Sequence, residues 1–281
     1  MLSKYKLLIV LPLLALSACI DDEPGDADKP TLVVEGYLDA NGFPNVFVTF
    51  AASPSTAEKS IADNLVRWGK VTISDGTDSI ILTGSPTKRH FPPYYYRTFE
   101  MVGTAGKTYR LTVDYKGYFA EATATMPEVT KIDKVEFEPI AGNDRLCATY
   151  IRFRSPDDVP AYYVVYTRSV SNQTMFQPCM LSVVEVTEPR KDVRLQVYRA
   201  KTSLKVDSVK YVPHFEHGEI VGIKLSRVEK PVYDFWRGYS DYTTFGNSQF
   251  VSSTTSLPTN IVGGIGIWSV QASSTVERNV P

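Results

Sequence analysis

The chain of 281 residues has few of the residues and patterns from which chemistry is usually inferred. It contains three cysteines and three histidines, and no G-x-S-x-G motif that would present a nucleophilic serine. Its net charge is −1 and no basic stripe is visible, which argues against a nucleic-acid-binding protein. No apolar run approaches the roughly 20 residues that a membrane-spanning helix needs. We therefore expect no enzyme activity and no cofactor.

The first 18 residues have the pattern of an export signal. Lys4 and Lys6 precede an apolar segment, Leu7 to Leu14, that is too short to cross a bilayer. Leu16-Ser17-Ala18-Cys19 follows, and small residues before a cysteine at this place resemble the lipobox of bacterial lipoproteins. The resemblance implies cleavage before Cys19 and lipid attachment to its thiol, which would anchor the protein to a membrane. An ordinary secretory peptide that happens to contain a cysteine is the alternative.

Residues 19–30 are expected to be a flexible acidic tether. Asp21, Asp22 and Glu23 follow the cysteine, and the segment is rich in Asp, Gly and Pro. An acidic cluster at this place resembles the surface-export signal of lipoproteins in Bacteroidetes, which implies an outer-membrane protein facing the cell exterior. A solvated tether on a periplasm-facing protein is the alternative. Removal of residues 1–18 would leave 28 basic against 31 acidic side chains, a balance of −3.

The alternation of apolar and polar residues predicts β-strands along most of the chain. In residues 31–129, short alternating segments separated by turns such as Asp75-Gly76 indicate an immunoglobulin-like or transthyretin-like β-sandwich. The alanines at 120, 122 and 124 would share one face of its last strand. Residues 130–281 predict a second β-rich domain, with the boundary near Thr130. The expected fold class is therefore mainly all-β.

Two segments of the second half stand out from this pattern. From Pro231, apolar residues recur at helical spacing, which predicts one packed helix over residues 231–245 with Gly246 as its stop. The run from Ile261 to Trp268 predicts a closing strand whose glycines permit a close backbone approach or a bulge. These glycines do not form a nucleotide-binding loop, because such a loop must open a helix within a βαβ unit.

Three consecutive aromatic residues are the main candidates for ligand binding. Tyr94, Tyr95 and Tyr96 carry rings that can stack on sugars or anchor a protein interface. Strict alternation would place Tyr94 and Tyr96 on one face and Tyr95 on the other, so at least one ring is expected to face solvent. The alternative, which the pattern favours, is that the rings pack the core of the sandwich and its edge.

The remaining cysteines and the histidines allow two further interpretations. Cys147 and Cys179 are either a disulfide that closes a loop of about 30 residues or two buried free thiols, and the sequence favours neither. His214-Phe215-Glu216-His217 suggests a metal cluster at first sight. However, residues i and i+3 of a strand point to opposite faces, and no third ligand is near in sequence. A loop could bring both histidines together, which is the alternative, but we expect no metal site.

Motifs spread over nearly the whole chain after Cys19 resemble one family, the uncharacterised DUF4249 lipoproteins of Bacteroidetes. The motifs are Leu32-Val33-Val34-Glu35-Gly36, Val71-Thr72-Ile73-Ser74-Asp75, Gly106 to Val113, Thr125-Met126-Pro127, Tyr162-Tyr163, Tyr233-Asp234-Phe235-Trp236 and Asn260 to Gly266. The resemblance implies a surface-associated partner of a TonB-dependent outer-membrane transporter, and it carries over no catalytic residue.

The expected function is therefore that of a lipid-anchored accessory or binding protein in nutrient uptake, with an unknown small-molecule or glycan ligand. A structural or adhesive surface protein that binds host or matrix proteins is the alternative. A hydrolase of unrecognised type is a third hypothesis, for which the sequence offers little support.

Overall fold

The computed structural model describes residues 30–51, 61–88, 90–171, 175–200, 211–245 and 257–281. The predicted signal peptide 1–18, Cys19, the acidic residues Asp21, Asp22 and Glu23, and Gly246 lie outside the described residues. Within the described ranges, the strands and the α-helix are β1 (Leu32–Asp39), β2 (Asn45–Phe50), β3 (Lys70–Ser74), β4 (Ser79–Ile81), β5 (Thr83–Pro86), β6 (Tyr94–Arg97), β7 (Thr108–Tyr115), β8 (Tyr118–Thr125), β9 (Lys134–Ile140), β10 (Asn143–Arg154), β11 (Ala161–Ser169), β12 (Gln177–Val186), β13 (Asp192–Val197), β14 (Phe215–Glu216), β15 (Ile220–Val228), α1 (Lys230–Phe245) and β16 (Ile265–Asn279). A short 3-10 helix, Ile61–Asn64, precedes β3. The expected class, mainly β with one packed helix, is confirmed.

The strands form one large sheet and two small ones. The large sheet has eight strands in the order β12-β11-β15-β16-β1-β2-β6-β5. One small sheet, β4-β3-β7-β8, shares a core with the β1 half of the large sheet. The other, β13-β10-β14 with β9 beside β10, shares a core with the β11–β15 half. The described residues therefore form two sandwiches that have one sheet in common.

Strand β16 joins the two sandwiches. Its residues 265–271 pair in parallel with β1, from Val33 opposite Ile265 to Asp39 opposite Gln271. Its residues 272–279 pair antiparallel with β15. The predicted closing strand is therefore present, but it starts later and runs further than the sequence pattern indicates. The division into 31–129 and 130–281 stays a prediction, and β16 contributes side chains to the cores of both sandwiches.

The glycines before and within β16 allow a close backbone approach, as the sequence predicts. Gly266 has a φ of +117°, and a Cβ there would lie 2.0 Å from the carbonyl oxygen of Val34. A Cβ on Gly263 would lie 2.2 Å from the carbonyl oxygen of Phe119. Both positions require the absence of a side chain, so that β16 can lie against β1 and β8.

The core of the first sandwich follows from alternation within its strands. Alternate residues of β1 from Leu32 to Leu38 face inwards, and the alanines of β8 from Ala120 to Ala124 lie in the same core, on one face as predicted. Trp268 of β16 is fully buried among them. Its indole N–H donates to the carbonyl of Tyr109 at 3.1 Å, which satisfies the one polar group of this side chain.

Helix α1 covers part of the large sheet on the face opposite the two small sheets. It begins at Lys230 with Pro231 in its first turn, as predicted. Val232 and Trp236 are buried against Val164 of β11 and Ile267 of β16. In the described part of the chain, no helix is both long and apolar enough to cross a membrane.

Candidate functional site

The sheet face that carries α1 also carries a line of polar side chains. On β1, the burial of alternate residues in the core leaves Glu35, Tyr37 and Asp39 on this outer face. Strand β16 runs beside β1 in register, with Tyr37 opposite Ser269 and Asp39 opposite Gln271. Polar groups from two neighbouring strands therefore converge on one side of the large sheet.

At one end of this line, side chains from four strands form what we call the Lys224 cluster: Asp39, Tyr166, Lys224, Gln271 and Ser273. The Ser273 hydroxyl donates to Asp39 Oδ2 at 2.6 Å, and Gln271 Nε2 donates to the same oxygen at 3.2 Å. Lys224 Nζ lies 3.6 Å from this oxygen and 4.4 Å from the centroid of the Tyr166 ring. A carboxylate, an ammonium group and an aromatic ring thus meet in one place.

The Lys224 cluster is largely withdrawn from solvent but not closed to it. The side chains of Asp39 and Lys224 are 29% and 18% exposed. Burial lowers the pKa of Lys224, and the neighbouring Asp39 partly offsets this change. Burial also raises the pKa of the Tyr166 hydroxyl, with smaller contributions from Asp39 and Glu35. Tyr166 therefore stays a neutral phenol, and the ionisable groups that a ligand can reach are Asp39 and Lys224.

Three buried polar atoms at this place have no hydrogen-bond partner among the described residues: Asp39 Oδ1, the Tyr166 hydroxyl and Trp236 Nε1. The Trp236 ring lies edge-on to Tyr166, with ring centroids 6.1 Å apart. Leaving such a group unpaired costs about 1–3 kcal/mol, and native structures keep few of them. Together these atoms leave one acceptor and two donors unpaired beneath the surface of this face.

Further along the same face, Tyr37 and Glu35 form a hydrogen-bonded pair. The Tyr37 hydroxyl donates to the Glu35 carboxylate. Burial raises the pKa of Glu35, while the hydrogen bond from Tyr37 and the nearby His90 oppose the rise. Because Glu35 lies opposite Phe47 of β2, this pair separates the Lys224 cluster from an aromatic surface on β2 and β6.

We call this aromatic surface the Tyr95 patch; it consists of Phe47, His90, Tyr95, Arg97 and Phe99. The rings of Phe47 and Tyr95 stack with centroids 5.8 Å apart, and the His90 ring lies 5.5 Å from Phe47. The Arg97 guanidinium carbon lies 5.4 Å from the Tyr95 centroid and 4.7 Å from the Phe99 centroid. The Phe99 side chain is 62% exposed, so part of the Tyr95 patch faces solvent.

The three candidate tyrosines separate as strict alternation predicts. Tyr96 is buried in the core of the first sandwich, and its hydroxyl donates to the Val66 carbonyl at 2.8 Å. Tyr94 packs against the same core and donates to the Arg67 carbonyl at 2.9 Å. Tyr95 lies on the opposite face. Of the three, Tyr95 is therefore the one placed to contact a ligand, and the binding itself stays a prediction.

Cys147 and Cys179 are buried free thiols in the core of the second sandwich, which is one of the two alternatives left open by the sequence. Cys147 Sγ lies 3.6 Å from Nε2 of His217. Burial raises the pKa of the Cys147 thiol and raises the pKa of Cys179 to about 12. A raised pKa disfavours the thiolate that a nucleophile requires, so both residues have the properties of structural thiols.

The two neighbouring histidines contact different groups. His217 borders an open cleft of about 450 Å³ that is also lined by Asp144, Arg145 and Glu216. His214 lies against Tyr198 instead, with ring centroids 5.9 Å apart, and burial lowers its pKa. Within the described ranges, no group of three or more His, Cys, Asp or Glu side chains is arranged to hold a metal ion.

Sequence reasoning missed the Lys224 cluster because its members are far apart in the chain. A weak signal was present, since Lys224 interrupts an apolar strand between Ile223 and Leu225. Gln271 and Ser273 likewise alternate with buried residues of β16. Neither pattern indicates that both strands would meet Asp39.

A known family model covers most of the chain. It is described as a domain of unknown function, DUF4249, and it matches residues 19–277. The matched region begins at Cys19 and contains every residue of the Lys224 cluster and of the Tyr95 patch. No curated protein matches the chain.

Proposed function

The chain belongs to the DUF4249 family, and from this premise we propose that it is a non-enzymatic binding protein. In this proposal it is a lipoprotein of the outer membrane, anchored by lipid on Cys19 and facing the cell exterior. There it works as an accessory subunit of a TonB-dependent transporter in nutrient uptake. Its ligand, a polar small molecule or glycan, binds at the Lys224 cluster on the outer face of the large sheet.

The observation that carries the binding proposal is the chemistry of the Lys224 cluster. It combines two ionisable groups, the ring of Tyr166 and three unpaired buried polar atoms. Sites that hold small polar ligands usually pair aromatic walls with a few convergent polar groups. The non-enzymatic part of the proposal is supported by Asp39, which favours the charged form of Lys224 and partly offsets the effect of burial, and by the burial that keeps Tyr166 neutral.

The sequence supports the proposed anchor and setting. Leu16-Ser17-Ala18-Cys19 resembles a lipobox, and the family match begins at the cysteine that would carry the lipid. Asp21, Asp22 and Glu23 resemble a surface-export signal. The transporter partner is proposed from the family resemblance, in which such lipoproteins look like transporter partners.

The first experiment is a pull-down of the tagged full-length protein from its native outer membrane in mild detergent, with mass spectrometry of the partners. We expect a TonB-dependent transporter in stoichiometric amount. Neither Lys70→Met nor Lys224→Met should remove this transporter from the pull-down. Recovery of the lipoprotein alone, with its tag accessible on intact cells, would count against the accessory role.

A second experiment tests the binding site. Neutral sugars and amino acids are screened for an increase in the unfolding temperature of the purified protein. Lys224→Met and Asp39→Asn should abolish the response, whereas Lys70→Met, which replaces an exposed lysine on β3, should preserve it. A response that survives both substitutions in the cluster would exclude the Lys224 cluster as the site.

The Tyr95 patch favours a second candidate function, that of an adhesive surface protein. Arg97 beside the rings of Tyr95 and Phe99 presents the residue types that dominate protein interfaces. Binding of host or matrix proteins that is lost with Tyr95→Ser and Arg97→Ala, together with a pull-down free of transporter, would support this alternative.

A further inference from the structure

The three most exposed large apolar side chains of the described residues lie at one end of the first sandwich. Among the described residues, Trp68, Phe91 and Val262 are 86%, 74% and 67% exposed, the highest values for large apolar side chains. Phe119 and Ile265, beside Val262, are 51% and 45% exposed. Grouped exposure of this kind marks a surface that contacts a partner or a membrane. We call these five residues the anchor end.

Three members of the anchor end surround the start of β1. Ile265 is the first residue of β16 and pairs beside the beginning of β1, whose first residue is Leu32. A Cβ on Gly263 would lie 2.2 Å from the Phe119 carbonyl, so the segment that carries Val262 lies directly on the start of β8. The isolated bridge between β8 and Val262 holds this contact in place.

Trp68 and Phe91 reach the same end through other strands. Strand β3 begins opposite Asp114, near the end of β7, so Trp68 lies next to the β7–β8 turn that leads to Phe119. The loop that contains Phe91 leads into β6 at Tyr94, whose hydroxyl donates to the carbonyl of Arg67, the neighbour of Trp68. Strand pairing thus places the loops that carry these apolar side chains at one end.

The turn between β7 and β8 adds side chains that suit a membrane interface. The rings of Tyr115 and Tyr118 pack on Phe50 with centroids 6.0 and 5.0 Å away, and Lys116 Nζ lies 5.2 Å from the Tyr115 centroid. Tyrosine and lysine combine an apolar body with a polar tip, and both are favoured where apolar lipid chains meet headgroups.

The tether joins the fold at the anchor end. Ala51 N–H donates to the Thr31 carbonyl at 2.9 Å, which fixes the chain just before β1. Pro30 follows Cys19 by eleven residues, and a fully extended chain of that length spans at most about 40 Å. A lipid on Cys19 would therefore keep this end of the first sandwich within that distance of the bilayer.

We propose that the anchor end seats the first sandwich on a phospholipid bilayer, with its exposed apolar side chains in contact with the lipid. The proposal rests on the lipid anchor of the proposed function and adds an orientation to it. Asp39 lies seven residues beyond Leu32 along β1, or about 23 Å at 3.3 Å per residue. Seating therefore holds the Lys224 cluster away from the bilayer surface, on the side open to solvent.

The experiment uses tryptophan fluorescence of the full protein, lipidated at Cys19 and reconstituted in phosphatidylethanolamine–phosphatidylglycerol vesicles. The chain has three tryptophans, and Trp236 and Trp268 are 7% and 0% exposed, so acrylamide reaches chiefly Trp68. We expect acrylamide quenching of Trp68 to fall at least threefold relative to the unlipidated Cys19→Ser protein in solution. Vesicles that contain brominated acyl chains should quench Trp68, and a Trp68→Phe variant should lose this signal.

Matched variants separate seating from a general change in the protein. Phe119→Ser with Val262→Ser should return Trp68 towards the accessibility it has in solution. Leu181 on β12 is the matched control, because it is 53% exposed and Phe119 is 51% exposed. Leu181→Ser should leave the accessibility of Trp68 to acrylamide unchanged. Each of these side chains is on the surface, so the variants are expected to fold.

The outcomes distinguish the two proposals. Lipidated protein that floats with the vesicles while Trp68 remains as accessible as in solution would overturn the seating surface and leave the anchor standing. Protein that does not float would overturn the lipid anchor, and the seating surface with it. Flotation together with protection of Trp68 from acrylamide supports both.

Discussion

Replacement of Gly266 by alanine should strongly destabilise the protein, because Gly266 sits where β16 crosses from its preceding loop onto β1. Its φ of +117° belongs to a region that side-chain-bearing residues rarely adopt. An added Cβ would also lie 2.0 Å from the Val34 carbonyl oxygen, within the sheet that links both sandwiches. The substitution therefore combines backbone strain with a collision against a neighbouring backbone.

The matched control is Gly106→Ala in the turn before β7. Gly106 also has a positive φ, +78°, but a Cβ there would have no atom within 4 Å. The free energy of unfolding of this variant should fall by only about 1 kcal/mol, which is the cost of placing a side chain at a positive φ. Gly266→Ala should also displace β16 from β1, so its free energy of unfolding should fall by roughly 3–5 kcal/mol in total. The difference between the variants isolates the close approach of the two strands.

The assay is urea unfolding of the unlipidated Cys19→Ser background, followed by far-ultraviolet circular dichroism and by tryptophan fluorescence. At a typical urea slope of about 2–3 kcal/mol per molar, Gly266→Ala should lower the midpoint by roughly 1–2.5 M. If Gly266→Ala and Gly106→Ala lower the urea midpoint equally, β16 does not approach β1 as closely as described. That result would refute the reasoning about this junction.

Three other predictions concern single side chains. Tyr166→Phe removes a buried hydroxyl without a partner among the described residues, so the unfolding temperature should stay the same or rise. Tyr96→Phe breaks the hydrogen bond to the Val66 carbonyl and should lower the unfolding temperature by about 2–4 °C. A lower unfolding temperature for Tyr166→Phe would contradict the assignment of its hydroxyl as unpaired. Arg152, Arg194 and Lys134 lower the pKa of Glu136 to about 2 from 4.5, so its stabilising effect should be present above pH 4.5 and lost as the pH falls towards 2. The free energies of unfolding of Glu136→Gln and of the wild type should therefore differ at pH 6 and converge near pH 2. A difference that stays constant between these pH values would contradict this prediction. Cys147 and Cys179 should react with iodoacetamide at pH 8 far more slowly in the native protein than in urea, as mass spectrometry can measure, and equal rates would rule out their burial.

The features that sequence analysis predicted are those that depend on neighbours in the chain. The alanines of β8 share a core face because successive strand residues point to opposite sides. The helix after Pro231 follows from apolar residues at helical spacing on a segment that must cover the sheet. The separation of Tyr95 from Tyr94 and Tyr96 follows from the same alternation as in β8.

The features that it missed depend on contacts between distant parts of the chain. The parallel pairing of β1 with β16 joins Val33 to Ile265, and nothing local in either segment identifies the other as its neighbour. The Lys224 cluster depends on that pairing, because Asp39 meets Gln271 and Ser273 only when β16 lies beside β1. A polar residue in a strand pattern indicates a face, whereas its partners are determined by the order of strands in the sheet.

The pairing of β1 with β16 also affects the order in which the protein can fold during synthesis. A ribosome releases the strands of the first sandwich long before it adds Trp268, which is among the largest fully buried side chains and belongs to the core of that sandwich. Until then, β1 lacks its parallel neighbour and the early core has a gap the size of an indole ring. The N-terminal half is therefore completed only when the last strand arrives. A delay of this kind keeps the nascent chain loosely structured until β16 has been synthesised and can pair with β1.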